Sequence, residues 1–381
     1  MRILHISSAQ AFGGGERYLA DLANALVARG HDVFAVLRPD SPLVSELKSL
    51  PASNLIYLPL RNSLDARSAG KLASFVKKNK IQLIHAHMAR DYPLAAYACR
   101  RNPDTRLVVT RHVLFPLNRL HRITLSRVAR VVAVSDAVGR QLLIQKIIPP
   151  ELVTVIHNGI DISRFDKAMR EFDRRQFCHR WDVPDNGILI GSVGSLNPLK
   201  GHEQFLQAAA LLTTKYPDAF FIVAGIDITP AQTNRANLER LVRELKLETK
   251  IRFIGKMDDV APLFCALDVL VSASHSESFG LVIAEAMATE TSIVATETEG
   301  AKEILQNGDT GLLVKVRDVP DLADAIGKLL ANEDLRLRIR RRAGEEVRRR
   351  FTLDKMVNAT EQVYQESINQ KPALPQKVPV L

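Results

Sequence analysis

The chain is poor in cysteine: Cys99, Cys178 and Cys265 are its three, far apart and in no C-x-x-C spacing. Neither a disulfide framework nor a structural zinc site is indicated, and each reads as a plain buried thiol. Long apolar runs are missing too, for nothing approaches the ~20 residues that a membrane helix needs. The opening MRILHISSAQAFGGGER reaches glycines and charges too early for a secretory signal, so a cytosolic protein is expected. No G-x-x-x-x-G-K-[ST] occurs, which removes most support for a P-loop kinase or ATPase.

The 381 residues exceed the usual size of one domain, so two domains of roughly 150 to 200 residues are expected. Apolar residues make up 46% and charged ones 25%, the balance of a globular protein with a large core. The formal net charge of +10 is unevenly placed: residues 100–140 hold nine arginines and two acids, Asp104 and Asp136. Such a segment fits a phosphate-bearing partner or an anionic membrane surface, or it is simply a solvated basic face. Nucleic acid is not expected, because interleaved aromatics are few and no helix-turn-helix, zinc-finger or RNP-like signature appears. A second arginine cluster at 336–351 predicts a solvated helix with its leucines and isoleucine inward.

Short β-rich runs alternate with helical patterns throughout. RILHIS, ERYLADLANALVARG and HDVFAVLRP spell strand, helix, strand, with Leu19, Leu22, Ala23 and Leu26 at helical spacing and Gly30 as the stop. Further strands are predicted at NLIYLPL, IQLIHAH, RLVVTRH, RVVAVS and LVTVIHN. After the charged ISRFDKAMREFDRRQFCHRWDVPDNG the pattern restarts with ILIGSVGSL, then AFFIVAG, KIRFIG, VLVSAS, SIVAT and GLLVK. Two α/β halves with parallel sheets follow, the boundary falling at 170/171, with sites expected at the carboxyl ends of the strands. The proline-rich end, residues 370–381, is expected to be disordered.

Three places carry candidate chemistry. The first strand ends in AFGGGERY, where consecutive glycines before a helix let backbone N–H groups approach an anion, or simply make a tight turn. GSVGSLNPLKGHEQF sets Lys200 in a glycine-punctuated loop before a helix, where an ammonium neutralises phosphate or is merely solvated. In ESFGLVIAE two carboxylates bracket an apolar run that reads as a helix starting near Phe279, with Val282, Ile283, Ala286 and Met287 buried. Eight helical steps would separate Glu277 from Glu285 by about 12 Å, comparable to the reach of a nucleoside-diphosphate sugar. First-turn N–H groups at Phe279, Gly280 and Leu281 would then meet the phosphates between hydroxyl-binding carboxylates. The plain alternative is that Glu277 caps the helix and Glu285 is solvated.

At these residues the chain resembles the retaining glycosyltransferases of family 4. The likeness spans nearly the whole chain: GGGER, TRH at 110–112, VIHNGID at 155–161, the KG of PLKG, FIGKMDDVAPLF, ESFGLVIAE and EGAKEILQNGDTGLLV. It implies the GT-B fold, two Rossmann-like doubly wound domains facing a cleft. The last helix, near 353–368, would pack back on the first domain. It further implies a nucleotide-sugar donor held mainly by residues 171–352 and a glycan or lipid-linked acceptor held by residues 1–170. Carried over by motif, Glu277 would bind donor-sugar hydroxyls and Glu285 the ribose. Lys200 would stabilise the leaving diphosphate and His112 would lie near the reacting sugar. Gly14 and Gly15 would border the phosphates, and the Lys256–Met257 stretch would lie near the base; Ser195, Ser278, Phe279, Gly280 and Leu281 are further donor-binding candidates.

One departure stands out. Where the family commonly has arginine in G-R-L-x-x-x-K-G, this chain has Ser195, which brings no charge. No D-x-D occurs, so the metal clamp of the other major transferase fold has no obvious ligands, and no catalytic metal is expected. The resemblance implies retention by same-face attack, the leaving phosphate helping to remove the acceptor proton. A cell-envelope acceptor and a peripheral place on the inner membrane face are further expectations. A nucleotide-sugar epimerase on the same scaffold, or a noncatalytic nucleotide-sugar-binding subunit, are the other readings kept open.

Overall fold

The computed structural model describes residues 1–229 and 231–370, and the chain divides into two compact units. The first joins Met1–Gly159 to the segment from Leu353 onward, and the second is Ile160–Thr352.

The first unit holds β1 (Arg2–Ser7), β2 (Asp32–Leu37), β3 (Leu55–Tyr57), β4 (Leu83–Ala86), β5 (Arg106–Arg111), β6 (Arg130–Ala133) and β7 (Val153–Val155). All pair in parallel, in the order β3-β2-β1-β4-β5-β6-β7. Strand alternation sends Leu4, Ile6, Ile84 and Val109 into one apolar core, with Leu72, Ala95 and Val138 of the covering helices. Ile3, Leu83 and Val108 point to the other face, which the helices Gly14–Ala28 and Leu353–Asn369 cover through Leu19, Leu22, Met356, Val357 and Tyr364.

The second unit holds β8 (Ile188–Val193), β9 (Ala219–Ala224), β10 (Ile251–Gly255), β11 (Val269–Ser272), β12 (Ser292–Thr296) and β13 (Leu312–Val314). They form a parallel sheet ordered β10-β9-β8-β11-β12-β13, again with an apolar core on each face. Both sheets are therefore doubly wound, as the alternating pattern predicts. In each the strand order reverses beside the first strand, between β1 and β4 and between β8 and β11.

Three expectations need correction. The boundary lies at Gly159/Ile160 rather than 170/171. The charged segment that reads as a break forms the helices Ile162–Glu171 and Arg174–Trp181, whose Phe165, Phe177 and Cys178 are buried in the core of the second unit. In the helix Glu333–Arg350, Leu335, Ile339, Ala343 and Val347 point inward, but Leu337 is half exposed, two positions out of phase with that stripe. Of the tail expected to be disordered, residues 371–381 lie outside the described residues.

Candidate active site

In the second unit the loops leaving β8 and β11 meet at the strand-order reversal. Asn197 accepts from the Leu199 N–H at 3.0 Å and starts a single 3-10 turn, Pro198–Lys200. Gly201 follows at φ +68, and a Cβ there would lie 1.9 Å from the Ala273 carbonyl oxygen. The His275 N–H donates to the Leu199 carbonyl at 2.7 Å, so the two loops are locked together. Gly225, at φ +144, lets the loop after β9 approach the Gly194 carbonyl, which a Cβ would meet at 1.8 Å.

This scaffold brings Lys200 to Glu277: Nζ lies 2.5 Å from Oε1, and the Ser274 hydroxyl donates to the same oxygen at 2.8 Å. The lysine stem runs over Gly194, with its Cγ and Cδ 3.4 Å from where a Cβ would be. Glu277 therefore does not cap the helix. The helix spans Leu281–Ala288 with Gly280 at its N-cap and no side-chain cap, so its expected start near Phe279 is two residues early. Phe279 is buried against Phe351, ring centroids 5.5 Å apart, so only its backbone is left to meet a ligand. Gly280 adopts φ +102 and its carbonyl accepts from the Ile283 and Ala284 N–H groups at 2.9 and 3.3 Å. Glu285 is half-buried one turn into the helix, about 6 Å along the axis from Leu281, and Ser278 lies half-buried in the preceding loop. The 12 Å helical span between the glutamates is thus replaced by a loop followed by one helical turn. Gly300 fixes that loop from the next strand connection, its N–H donating to the Glu277 carbonyl at 3.0 Å.

Ser195 is half-buried, its hydroxyl accepting from Asn197 Nδ2 at 2.7 Å and its carbonyl meeting His202 Nε2 at 3.2 Å. Burial pushes His202 down to about 4, which leaves it neutral between Ser195 and the Ser192 hydroxyl. Lys256 and Met257 follow β10: Lys256 is exposed, 4.0 Å from Asp258, and Met257 packs on the core.

In the first unit, Gly14 and Gly15 open the helix Gly14–Ala28, and the Gly13 N–H donates to Glu16 Oε2 at 3.0 Å. A Cβ on Gly15 would lie 3.4 Å from His112 Cγ, so glycine admits the imidazole to the loop. Tyr18 meets the His112 ring edge-on, centroids 4.9 Å apart. Burial first and the Arg111 cation second push His112 down to about 3, and the ring is neutral.

Of the residues singled out in the sequence, the structure brings Gly15 beside His112 and Lys200 beside Glu277. Sequence reasoning misses Ser274, one serine among several in SASHSES, and the histidines His5, His85 and His87 behind His112. A signal for those was present: in IQLIHAH the i, i+2 spacing sets both histidines on one strand face.

Two family models cover successive parts of this chain: "Glycosyltransferase Family 4" over residues 12–164 and "Glycosyl transferases group 1" over residues 173–346. An N-acetyl-alpha-D-glucosaminyl L-malate synthase of Bacillus anthracis is 28% identical over 79% of this chain and 78% of its own length. A D-inositol 3-phosphate glycosyltransferase of Corynebacterium jeikeium is 27% identical over 85% of each chain. Among solved structures, a glycosyltransferase from Rickettsia africae has a TM-score of 0.85 at 25% identity, covering 97% of this chain and 98% of that one. The fold is shared as well with the Anabaena HepE protein, solved in complex with UDP and glucose, at a TM-score of 0.83 and 23% identity, covering 96% and 99%.

Proposed function

Because the chain belongs to the group 1 glycosyltransferases, with a family 4 first half and the GT-B fold, we propose that it transfers a hexose-type sugar from a nucleoside-diphosphate sugar to a glycan or glycolipid of the cell envelope, retaining anomeric configuration. The observation that carries this reading is the Lys200–Glu277–Ser274 cluster at the strand-order reversal, beside the start of the helix Leu281–Ala288. Lys200 and the first-turn N–H groups stabilise charge developing on the leaving diphosphate, a task that here falls to no metal. Glu277 accepts from sugar hydroxyls, Glu285 from the ribose, and the Lys256–Met257 stretch borders the base. Gly14 and Gly15 border the phosphates. The leaving phosphate takes the acceptor proton, so His112 orients the sugar or polarises a hydroxyl and is not an essential base.

Calorimetry with nucleoside diphosphates and their sugars, UDP-sugars first, tests the reading on wild type and Glu285→Ala, with and without EDTA. Binding that is selective, unaffected by EDTA and weakened by the substitution is expected, followed by transfer with retained configuration in the product NMR spectrum. Turnover of donor alone would identify an epimerase instead. Saturable binding without turnover on a broad acceptor panel would identify a binding subunit.

The basic segment supports an anionic membrane surface as the place of work. Among the described residues, no helix is long and apolar enough to cross a membrane. Phe115, Leu120 and Ile123 are 66%, 67% and 60% exposed beside the exposed Arg119, Arg122 and Arg127, so apolar anchors and cations share one stretch. At ~1 kcal/mol per basic residue near the surface, three arginines contribute about 3 kcal/mol. Cosedimentation with phosphatidylglycerol vesicles is expected, with binding about 100-fold weaker after neutralisation of the three and weaker still after charge reversal. Salt-independent binding, or none, would refute the membrane role.

A further inference from the structure

Strand alternation in the first unit sets His5 of β1, His85 of β4 and Thr110 of β5 on one sheet face, with His87 and His112 just beyond the last two strands. His5 and His85 are register partners across β1 and β4. His5 Nδ1 lies 3.0 Å from His87 Nε2, and His87 Nδ1 lies 3.4 Å from His112 Nε2, so three imidazoles stand in series. His85 stands beside this row, its ring nitrogens taken by the Tyr364 hydroxyl at 2.5 Å and the Thr110 hydroxyl at 2.6 Å.

Each ring in the row is neutral. Burial is the first cause in every case, pushing His5 and His112 to about 3 and His87 well below its ordinary value, with neighbouring histidines adding to the effect on His87. A neutral imidazole carries one proton, so His87 donates one hydrogen bond and accepts the other. Two arrangements satisfy both bonds. In one, protons on His112 Nε2 and His87 Nε2 point toward His5, whose own proton then sits on Nε2. That nitrogen is buried without a partner, and a buried N–H lacking an acceptor is the costlier orphan. In the other, His5 Nδ1–H donates to His87 and His87 Nδ1–H donates to His112 Nε2, so that His5 Nε2 keeps only a lone pair. The His112 proton then sits on Nδ1, which has no protein partner among the described residues, on a ring that is partly exposed.

We propose that His87, backed by His5, is a positioning residue that holds His112 in its Nδ1–H tautomer, so that His112 meets the substrate as a hydrogen-bond donor and not as a base. The catalytic half rests on the reading that His112 lies at the reacting sugar, and it fits a mechanism in which the leaving phosphate removes the proton. The nitrogens of His5, His85 and His87 lie within 4.8 Å of one another, a spacing that a metal ion also tolerates. With both His85 nitrogens engaged by hydroxyls, the hydrogen-bonded row is the better account.

The test is nitrogen NMR of the full chain labelled in histidine, with turnover measured in parallel. Wild type is expected to show His112 protonated on Nδ1. His87→Leu should release that preference and lower kcat about tenfold, the loss of one transition-state hydrogen bond, with the donor KM within about twofold. His87→Asn, whose amide nitrogen replaces Nδ1, should restore both signals. A wild-type His112 protonated on Nε2 overturns the tautomer assignment. A stoichiometric metal ion whose removal shifts the His5 and His87 signals overturns the hydrogen-bonded row. Nδ1–H observed together with unchanged turnover in His112→Gln overturns only the placement of His112 at the sugar, and donor binding to the second unit is read independently of it.

Discussion

A lysine ammonium held 2.5 Å from a carboxylate oxygen would have to loosen that bond to serve a donor phosphate as proposed. Lys200 and Glu277 are about one quarter and one sixth exposed, so water screens the pair in part and its own contribution to stability is small. Its consequence is positional: the ammonium already stands at the strand ends, where the proposed donor would bring its diphosphate. Lys200→Met is expected to lower kcat/KM for transfer about 100-fold or more, the scale for removing a preorganised charge stabiliser, with the melting temperature little changed. Steady-state kinetics beside a thermal melt separate the two. Both members of the pair were legible in the sequence, one from its glycine-bounded loop and the other from its spacing to Glu285. Phe279 was misplaced because an apolar residue before a helix looks the same whether it enters the first turn or anchors the loop beneath it. Gly280 at φ +102 decides for the loop.

Elements tell more than single residues. All thirteen strands among the described residues fall where β-rich runs predict them, since parallel strands buried on both faces give continuous apolar segments. The helices Ile162–Glu171 and Arg174–Trp181 escaped notice because so few of their residues are apolar among many charges. The helix Leu353–Asn369 closes one face of the first sheet with Met356, Val357, Val363 and Tyr364, all at most 4% exposed. Four such side chains at about 1.5–3 kcal/mol each amount to about 6–12 kcal/mol, comparable to the whole stability of a domain. A chain ending at Thr352 should therefore lose the calorimetric transition of the first unit while that of the second persists. Retention of both transitions would show that the helix is dispensable.

At the scale of the molecule, neutral buried histidines make stability depend on pH. His5, His85, His87 and His112 are lowered by burial from an ordinary 6.5, two of them to about 3, and so is His202 in the second unit, to about 4. Below about 6.5 the unfolded chain takes up protons that the fold refuses, so these groups lose stability as pH falls toward about 3. Asp91 opposes them: burial raises it to about 6, and its protonated form favours the fold between about 6 and 3.8. Burial raises Glu16 as well, so four histidines stand against two carboxyls and leave the first unit acid-sensitive. Its calorimetric midpoint should fall by about 5 °C or more between about pH 7.5 and 5, and further than that of the second unit. An unchanged midpoint would mean that the cluster is already charged. Because the first unit is assembled from both ends of the chain, synthesis imposes an order of events. At about 5–20 residues per second the ribosome needs roughly ten to forty seconds to travel from Gly159 to Asn369. For that interval the nascent first sheet waits with His85 lacking Tyr364, so the second unit is complete before its elder neighbour, and a chaperone has its opening there.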